Sequence, residues 1–177
     1  MIETLTPERC IEILRDAGCH ENVIRHSRVV ADIAVAIAER IEGADIEQVR
    51  IGALLHDLGR ARTHGLAHFL EGVKIAEELG LPRAVQLIIE RHIGAGLPAA
   101  EAKALGLPEK DFIPQTLEEK IVAQADNLVN DLRPAPVAVI LDRFKDKGQD
   151  AAAERIRNLH DELSKLAGFD LDDLVRE

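Results

Sequence analysis

Apolar residues recur at three- and four-residue steps along almost the whole chain, and glycine or proline falls between the segments. This spacing puts apolar side chains on one face of a helix, because an α-helix has about 3.6 residues per turn. We find no alternating pattern of the kind that marks strands. The sequence therefore predicts an all-α fold, a compact bundle of about seven to nine helices. The clearest inward face belongs to a predicted second helix and carries Val23, His26, Val30, Ile33, Ile37 and Ile41.

Cap and breaker residues set the approximate boundaries of these helices. The stretch 106–115 contains two prolines and predicts the longest loop. Residues 131–177 predict further helices in which we recognise no chemistry. Two pairs match the capping box of a helix start, Asp45 with Gln48 and Thr116 with Glu119.

The length of 177 residues predicts one domain, 1–177, because two ordinary domains would need a longer chain. Hydrophobic residues make up 46% of it, but Trp and Tyr are absent and Phe occurs four times. Leu, Ile, Val and Ala must therefore build the core, which suits helix packing.

The formal charge of −10 argues against a broad electropositive surface for duplex nucleic acid, since such binding depends on neutralised phosphates. No apolar run is long enough to span a bilayer, and the first residues lack the basic-then-apolar plan of a secretory signal. We expect a cytoplasmic protein without a membrane partner. Cys10 and Cys19 form no metal-binding pattern and are expected to be reduced, buried or neutral thiols.

Histidines are the most informative polar residues. Five of the seven lie between positions 26 and 92, on or beside helix faces that are predicted to point inward. Buried polar groups need partners, and one metal ion satisfies several of them at once. Imidazole nitrogens and carboxylate oxygens suit Fe, Mn, Zn, Co or Ni better than Ca.

The order of these residues resembles a known signature. His26, then His56-Asp57 at a helix end, then Asp126 resemble the H…HD…D pattern of the HD superfamily of metal-dependent phosphohydrolases. The segment His56-Asp57-Leu58-Gly59 is close to its HDIG variant, with Leu in place of Ile. The resemblance covers about 21–130. It implies an HD-type helical bundle around a central metal held by His26, His56, Asp57 and Asp126.

Two further histidines match the binuclear members of that superfamily. His68 and His92 stand where HD-GYP phosphodiesterases and symmetrical dinucleoside-tetraphosphate hydrolases place two extra ligands. The resemblance implies that they hold a second metal, with Asp57 bridging to the first. A pair of divalent cations can lower the pKa of a water and polarise a phosphoryl oxygen, so no nucleophilic side chain is required.

Several neighbouring residues are candidates for substrate contacts. Arg60 would bind a phosphate oxygen where relatives often have Lys or Arg, although a surface cation at a helix end is the alternative. His64 is a general acid, a residue that orients a ligand, or an exposed loop residue. Arg91 is expected to contact substrate, and Arg25, Arg28 and Arg62 to add positive charge around it. His20 and His160 are expected at the surface.

The expected function is hydrolysis of a small, nucleotide-like phosphoester, such as a cyclic phosphate or a dinucleoside polyphosphate, with Asp57, Arg60 and His64 as catalytic residues. One alternative is a mononuclear nucleoside-monophosphate phosphatase. Another is a catalytically silent domain that senses a ligand or binds a protein. The number of metals, one or two per chain, and a homo-oligomeric state both stay open.

Overall fold

A computed structural model describes residues 5–176 of the chain. Within that range the helical class predicted from the sequence is confirmed. Two short 3-10 turns lie at Leu58–Ala61 and Leu171–Leu174. The nine helices of the described range are α1 (Pro7–Ala17), α2 (Glu21–Ala38), α3 (Ile46–Leu55), α4 (His68–Glu78), α5 (Arg83–Arg91), α6 (Ala99–Ala104), α7 (Leu117–Asn127), α8 (Val137–Asp146) and α9 (Asp150–Ala167).

Helix α2 packs against α3 and α7, while α5 packs against α3, α4 and α7. Buried Leu, Ile, Val and Ala side chains, together with the two cysteines, form one continuous cluster from α1 to the last 3-10 turn. A smaller cluster joins Phe69 and Phe112. No helix within 5–176 combines the length and apolarity needed to cross a membrane.

The predicted capping residues begin their helices. Asp45 Oδ1 accepts the backbone N–H of Gln48 at 3.0 Å, and Thr116 Oγ1 accepts that of Glu119 at 3.2 Å. Neither capping box is reciprocal: the backbone N–H of Asp45 donates to Oε1 of Glu118 at 3.0 Å, and the Glu119 carboxylate accepts the backbone N–H of Gln115 instead of that of Thr116. Glu119 is buried, and Arg91 also donates to its carboxylate.

The sequence did not predict the two short strands of the described chain. β1 (Val129–Asn130) and β2 (Arg133–Pro134) pair antiparallel, with Asn130 opposite Arg133. Strands of two residues are too short to show alternation. The turn between them places Asp131 at a φ of 57°, in the left-handed region.

Two glycines allow α4 to lie directly against the 3-10 turn that follows α3. A Cβ on Gly59 would lie 1.8 Å from the carbonyl oxygen of His68, and one on Gly72 would lie 2.7 Å from Cγ2 of Ile89. Real Cβ atoms do not approach so closely, so neither position accepts a side chain without movement of its neighbours. This close contact brings the start of α4 to Asp57.

The environment of His160 corrects an expectation. It was expected at the surface, yet it is buried because α9 packs on α7. Its Nδ1 accepts a hydrogen bond from Nε2 of Gln124 at 3.0 Å, and its Nε2 donates to Asp170 at 3.1 Å. His20 is exposed as expected, and its Nδ1 accepts the backbone N–H of Asn22 at the start of α2.

Candidate metal centre

Helix ends deliver most of the predicted ligands to one place. His56 and Asp57 directly follow α3, His68 is the first residue of α4, and His92 directly follows α5. His26 and Asp126 instead point in from within α2 and α7. The structure thus brings together all six residues that the sequence nominated as metal ligands.

Each of the four imidazoles is held by the same kind of contact. In every case Nδ1 faces a backbone carbonyl, which can only accept, so Nδ1 carries the hydrogen and Nε2 is left to face the centre. This fixed tautomer is the one that offers Nε2 as a metal ligand. The contacts are His26 to Asp131 at 2.8 Å, His56 to Ala53 at 2.7 Å, His68 to Gly65 at 2.9 Å and His92 to Ile89 at 2.8 Å.

His26, His56 and Asp126 form what we call the first half-site. Oδ1 of Asp126 lies 3.0 Å from Nε2 of His26 and 3.6 Å from Nε2 of His56. The Nε2 of His56 is buried and has no hydrogen-bond partner among the described residues. A buried nitrogen without a partner is costly, and a cation would supply the missing partner.

His68 and His92 form the second half-site. Their Nε2 atoms are 3.1 Å apart, so at most one of the two nitrogens can carry a hydrogen that points at the other. Oδ1 of Asp57 lies 3.1 Å from Nε2 of His68 and 3.7 Å from that of His92. Its other oxygen, Oδ2, lies 3.6 Å from His56 and 3.9 Å from His26. Asp57 therefore presents one oxygen to each half-site.

The pKa values describe how strongly these groups interact. Burial lowers the pKa of His56, but the charges of Asp57 and Asp126 outweigh it and raise the value to about 9. Burial is also the largest effect on His92, and neighbouring His56 and His68 add to it, so its pKa falls to about 3. Burial opposes ionisation of both carboxyl groups, yet the surrounding histidines hold both pKa values well below their usual range. Two carboxylates among imidazoles are donors that fit divalent transition metals.

A cavity of about 780 Å³ opens onto this centre. Arg60 and His64, the two residues that the sequence analysis proposed for both catalysis and substrate binding, line it. Nε of Arg60 lies 3.3 Å from Asp57, and Nη1 donates to the carbonyl oxygen of His64 at 2.7 Å. His64 is exposed at this cavity. Arg60 thus holds the His64 loop beside the carboxylate that faces both half-sites.

Arg91 requires a correction, because the structure does not place it in this cavity. Its Nη1 donates to both carboxylate oxygens of buried Glu119, at 2.9 and 3.2 Å. The helix turn that points His92 inward points its neighbour elsewhere. Arg25, Arg28 and Arg62 are also absent from the described lining, and Arg62 pairs with Glu78 on α4.

The C-terminal segment supplies residues that the sequence analysis missed. Ile140, Arg143 and Phe144 on α8 all line the cavity, although this segment was expected to carry no chemistry. They stand at three- and four-residue spacing, which is the only signal that could have found them. Arg143 donates to Asn130 Oδ1 in β1. Asn127 also lines the cavity and donates to the carbonyl oxygen of Gly94 at 2.9 Å.

Comparisons with known proteins agree with this geometry. The HD domain family model matches residues 23–131. The chain is 43% identical over 165 residues to an uncharacterized protein of Methanocaldococcus jannaschii, covering 90% of this chain and 97% of that protein. It is 41% identical over 170 residues to a tRNA (cytidine(56)-2'-O)-methyltransferase of Picrophilus torridus, covering 96% of this chain. The chain spans only about half of that relative, 50% of its length.

A solved structure shares the fold. It is the HD domain of the L. monocytogenes phosphodiesterase PgpH in complex with cyclic-di-AMP, with a TM-score of 0.53. The match covers 90% of this chain and 96% of that one, at 19% sequence identity. The family model covers more than half of the chain and includes His26, His56, Asp57 and Asp126. The chain belongs to the HD domain family.

Proposed function

We propose that this chain is a metal-dependent phosphohydrolase that cleaves a small, nucleotide-like phosphodiester with water. One observation carries the proposal: Asp57 presents Oδ1 to His68 and His92 and Oδ2 to His26 and His56. This arrangement suits two cations that share one carboxylate. The HD domain match and the fold shared with a phosphodiesterase support the same reaction class.

The first half-site would hold one metal and the second half-site the other, with Asp57 shared between them. When bound, the two ions would supply the Lewis acidity that makes water a nucleophile near neutral pH and polarises a phosphoryl oxygen. The chain offers Fe, Mn, Zn, Co or Ni a suitable set of nitrogen and oxygen donors. His56 and His92 are themselves buried, so the surrounding fold holds their side chains in place.

Two arginines at the cavity suit an anionic substrate. Arg60 and Arg143 approach from different parts of the chain, the turn after α3 and helix α8. Each would donate hydrogen bonds to the non-bridging oxygens of the substrate and offset the charge of the site carboxylates. In the proposed reaction, the water releases one proton to solvent as its oxygen bonds to phosphorus, and the bond to the ester oxygen breaks. His64 would give a proton to that leaving oxygen.

RNA is a second candidate substrate class, and its support is the 41% identity to half of a tRNA methyltransferase. The formal charge of −10 favours a single phosphoester at the cavity over an extended duplex surface. A ligand-sensing domain that binds a phosphoester without cleaving it is the other class to be tested.

The experiment combines metal analysis with a substrate panel. Protein purified without chelator would be analysed for bound metals per chain, as wild type, His56→Ala, His92→Ala and Asp32→Asn. Asp32→Asn is the control, because Asp32 is exposed on α2 and does not line the metal cavity. The panel would contain cyclic and linear dinucleotides, a dinucleoside tetraphosphate, nucleoside monophosphates and tRNA.

We expect about two metals per chain in wild type and in Asp32→Asn, and about one in His92→Ala. Diesterase activity should be lost in both His56→Ala and His92→Ala. Wild-type protein without specific metal would overturn the proposal, as would metal and activity untouched by His56→Ala. Tight binding of a dinucleotide by metal-loaded protein without turnover would replace the enzyme with the ligand-sensing domain.

A further inference from the structure

A second cavity of about 550 Å³ shares a wall with the metal cavity. Ile93, Gly94 and Phe144 line both of them. The wall is therefore formed where the loop after α5 meets α8. The two cavities are therefore adjacent, and the same three residues face both of them.

The second cavity is lined mainly by apolar side chains. Leu66 and Leu105 at its edge are 41% and 48% exposed. They are two of the five large hydrophobic residues that are exposed within the described chain, and Leu97 and Phe144 continue the same surface. Apolar surface left open beside a polar site indicates a place where part of a ligand is removed from water.

Polar groups stand at the edge of this apolar surface. Arg155 on α9 binds Glu101 on α6 through two hydrogen bonds of 2.9 and 2.6 Å, which fixes both side chains across the cavity. Lys147 and Gln149 complete this edge. A hydrocarbon chain would make no hydrogen bonds with the Lys147, Gln149 and Asp150 side chains at this edge. A ring system with apolar faces and polar edges would use both, and a nucleobase has that chemistry.

Gly94 contributes backbone in place of a side chain to the shared wall. Its φ of 58° lies in the left-handed region, which favours glycine. Its carbonyl oxygen is held by Asn127, the residue after the predicted ligand Asp126. A hydrogen bond therefore holds the shared wall at Gly94 to Asn127, the neighbour of Asp126.

We propose that the second cavity binds the nucleoside part of the substrate while the phosphodiester lies at the metal centre, which selects dinucleotides over diesters without a nucleoside. The proposal rests on the proposed function for its phosphodiester, but nucleoside binding can be measured separately. It also gives a role to the backbone of Gly94 in the shared wall.

Kinetics with two diesters test the selection. Ala152→Trp would fill the cavity from α9, and Ala138→Trp on α8 is its control, because Ala138 lines neither cavity in the described chain. Leu105→Ser removes apolar surface without adding bulk, and equally exposed Leu166→Ser is the control. The substrates are adenylyl-(3′→5′)-adenosine and glycerol 3-(methyl phosphate), a methyl diester without a ring. Thermal unfolding of all four variants identifies any that fail to fold.

For the dinucleotide we expect kcat/KM to fall about 10- to 100-fold in Ala152→Trp and less in Leu105→Ser. The methyl ester should be cleaved by both variants within about twofold of wild type, since its reaction uses only the metal cavity. Equal losses on the two substrates, or equal losses in Ala138→Trp, would overturn the nucleoside site.

Adenosine binding gives a readout without catalysis. In ¹H–¹⁵N spectra of zinc-loaded wild-type protein, adenosine should shift the amide signals of Leu105 and Ala152. In Ala152→Trp, adenosine should leave the amide signals of positions 105 and 152 unchanged. Adenosine shifts without hydrolysis of any ester would overturn the proposed function and leave the nucleoside site supported. Hydrolysis of the dinucleotide with no adenosine shifts at these residues would overturn the nucleoside site alone.

Discussion

Nδ1 of His26 lies 2.8 Å from the backbone carbonyl oxygen of Asp131, more than 100 residues further along the chain. Asp131 is the only non-glycine residue within 5–176 that has a positive φ, and it stands in the turn between β1 and β2. The left-handed backbone at Asp131 thus positions the carbonyl oxygen that orients the His26 ring. The short hairpin helps to fix the first half-site.

Substitutions at Asp131 should separate its backbone role from its side chain. Asp131→Gly keeps the left-handed turn and is expected to retain wild-type metal content. Asp131→Val places a β-branched residue at a φ of 57° and should cost about 1–2 kcal/mol in unfolding free energy. It should also weaken metal binding at the first half-site. Urea unfolding and metal titration measure the two effects, and equal behaviour of both variants would contradict this role.

Asp57 should affect both half-sites, because each faces one of its oxygens. Asp57→Asn replaces a shared negative ligand with a neutral amide of the same shape, so metal content should fall below about one per chain. His92→Ala should instead retain about one. Elemental analysis distinguishes them, with exposed Asp32→Asn as the matched control. If Asp57→Asn lost no more metal than His92→Ala, Asp57 would serve one half-site only.

Much of the metal centre could be predicted from the sequence because helical periodicity decides which side chains point inward. His26 shares the apolar face of α2, and Asp126 stands four residues after buried Val122 in α7. His56-Asp57 follows a buried run that ends at Leu55. Local spacing therefore indicated the orientation of these predicted ligands. Packing of the helices on one core brought them together.

The rest depended on long-range packing that local spacing does not encode. The residues flanking His92 gave no sign that Arg91 would pair with Glu119, which lies 28 positions away. Nothing near Arg143 indicated that α8 would reach the cavity. Nothing near His160 indicated that α9 would pack on α7 and bury it. In each case the partner belongs to a helix that is distant in sequence.

Arg143 should contribute to substrate binding without holding metal. Arg143→Ala is expected to lower kcat/KM for a dinucleotide by about 10- to 100-fold, the effect of losing one charge-assisted hydrogen bond. Metal content should remain at the wild-type value. Steady-state kinetics and elemental analysis of the same preparation test both parts. Arg157→Ala, an exposed arginine on α9, is the control, and unchanged kinetics in Arg143→Ala would remove this residue from the site.

The buried cysteines should make stability fall at alkaline pH. Burial raises the pKa of Cys10 to about 12, with a smaller effect of Glu8, and raises that of Cys19 to about 11, with a smaller effect of Asp57. In the unfolded chain both thiols would ionise near pH 8.5. Between about pH 9 and 11 the folded state then holds protons that the unfolded state has released, so the free energy of unfolding decreases as pH rises.

The expected slope from each thiol is at most about 1.4 kcal/mol per pH unit. Lysine and tyrosine titrations complicate many proteins in this range, but this chain has no tyrosine, and its lysines are unchanged in a Cys10→Ala/Cys19→Ala variant. That variant should lose less stability than wild type between pH 9 and 10.5, whatever its stability at pH 7. Urea unfolding across the range gives both slopes. Parallel slopes would mean that the thiols ionise in the folded protein, and rapid alkylation of native protein at pH 8 would then accompany them.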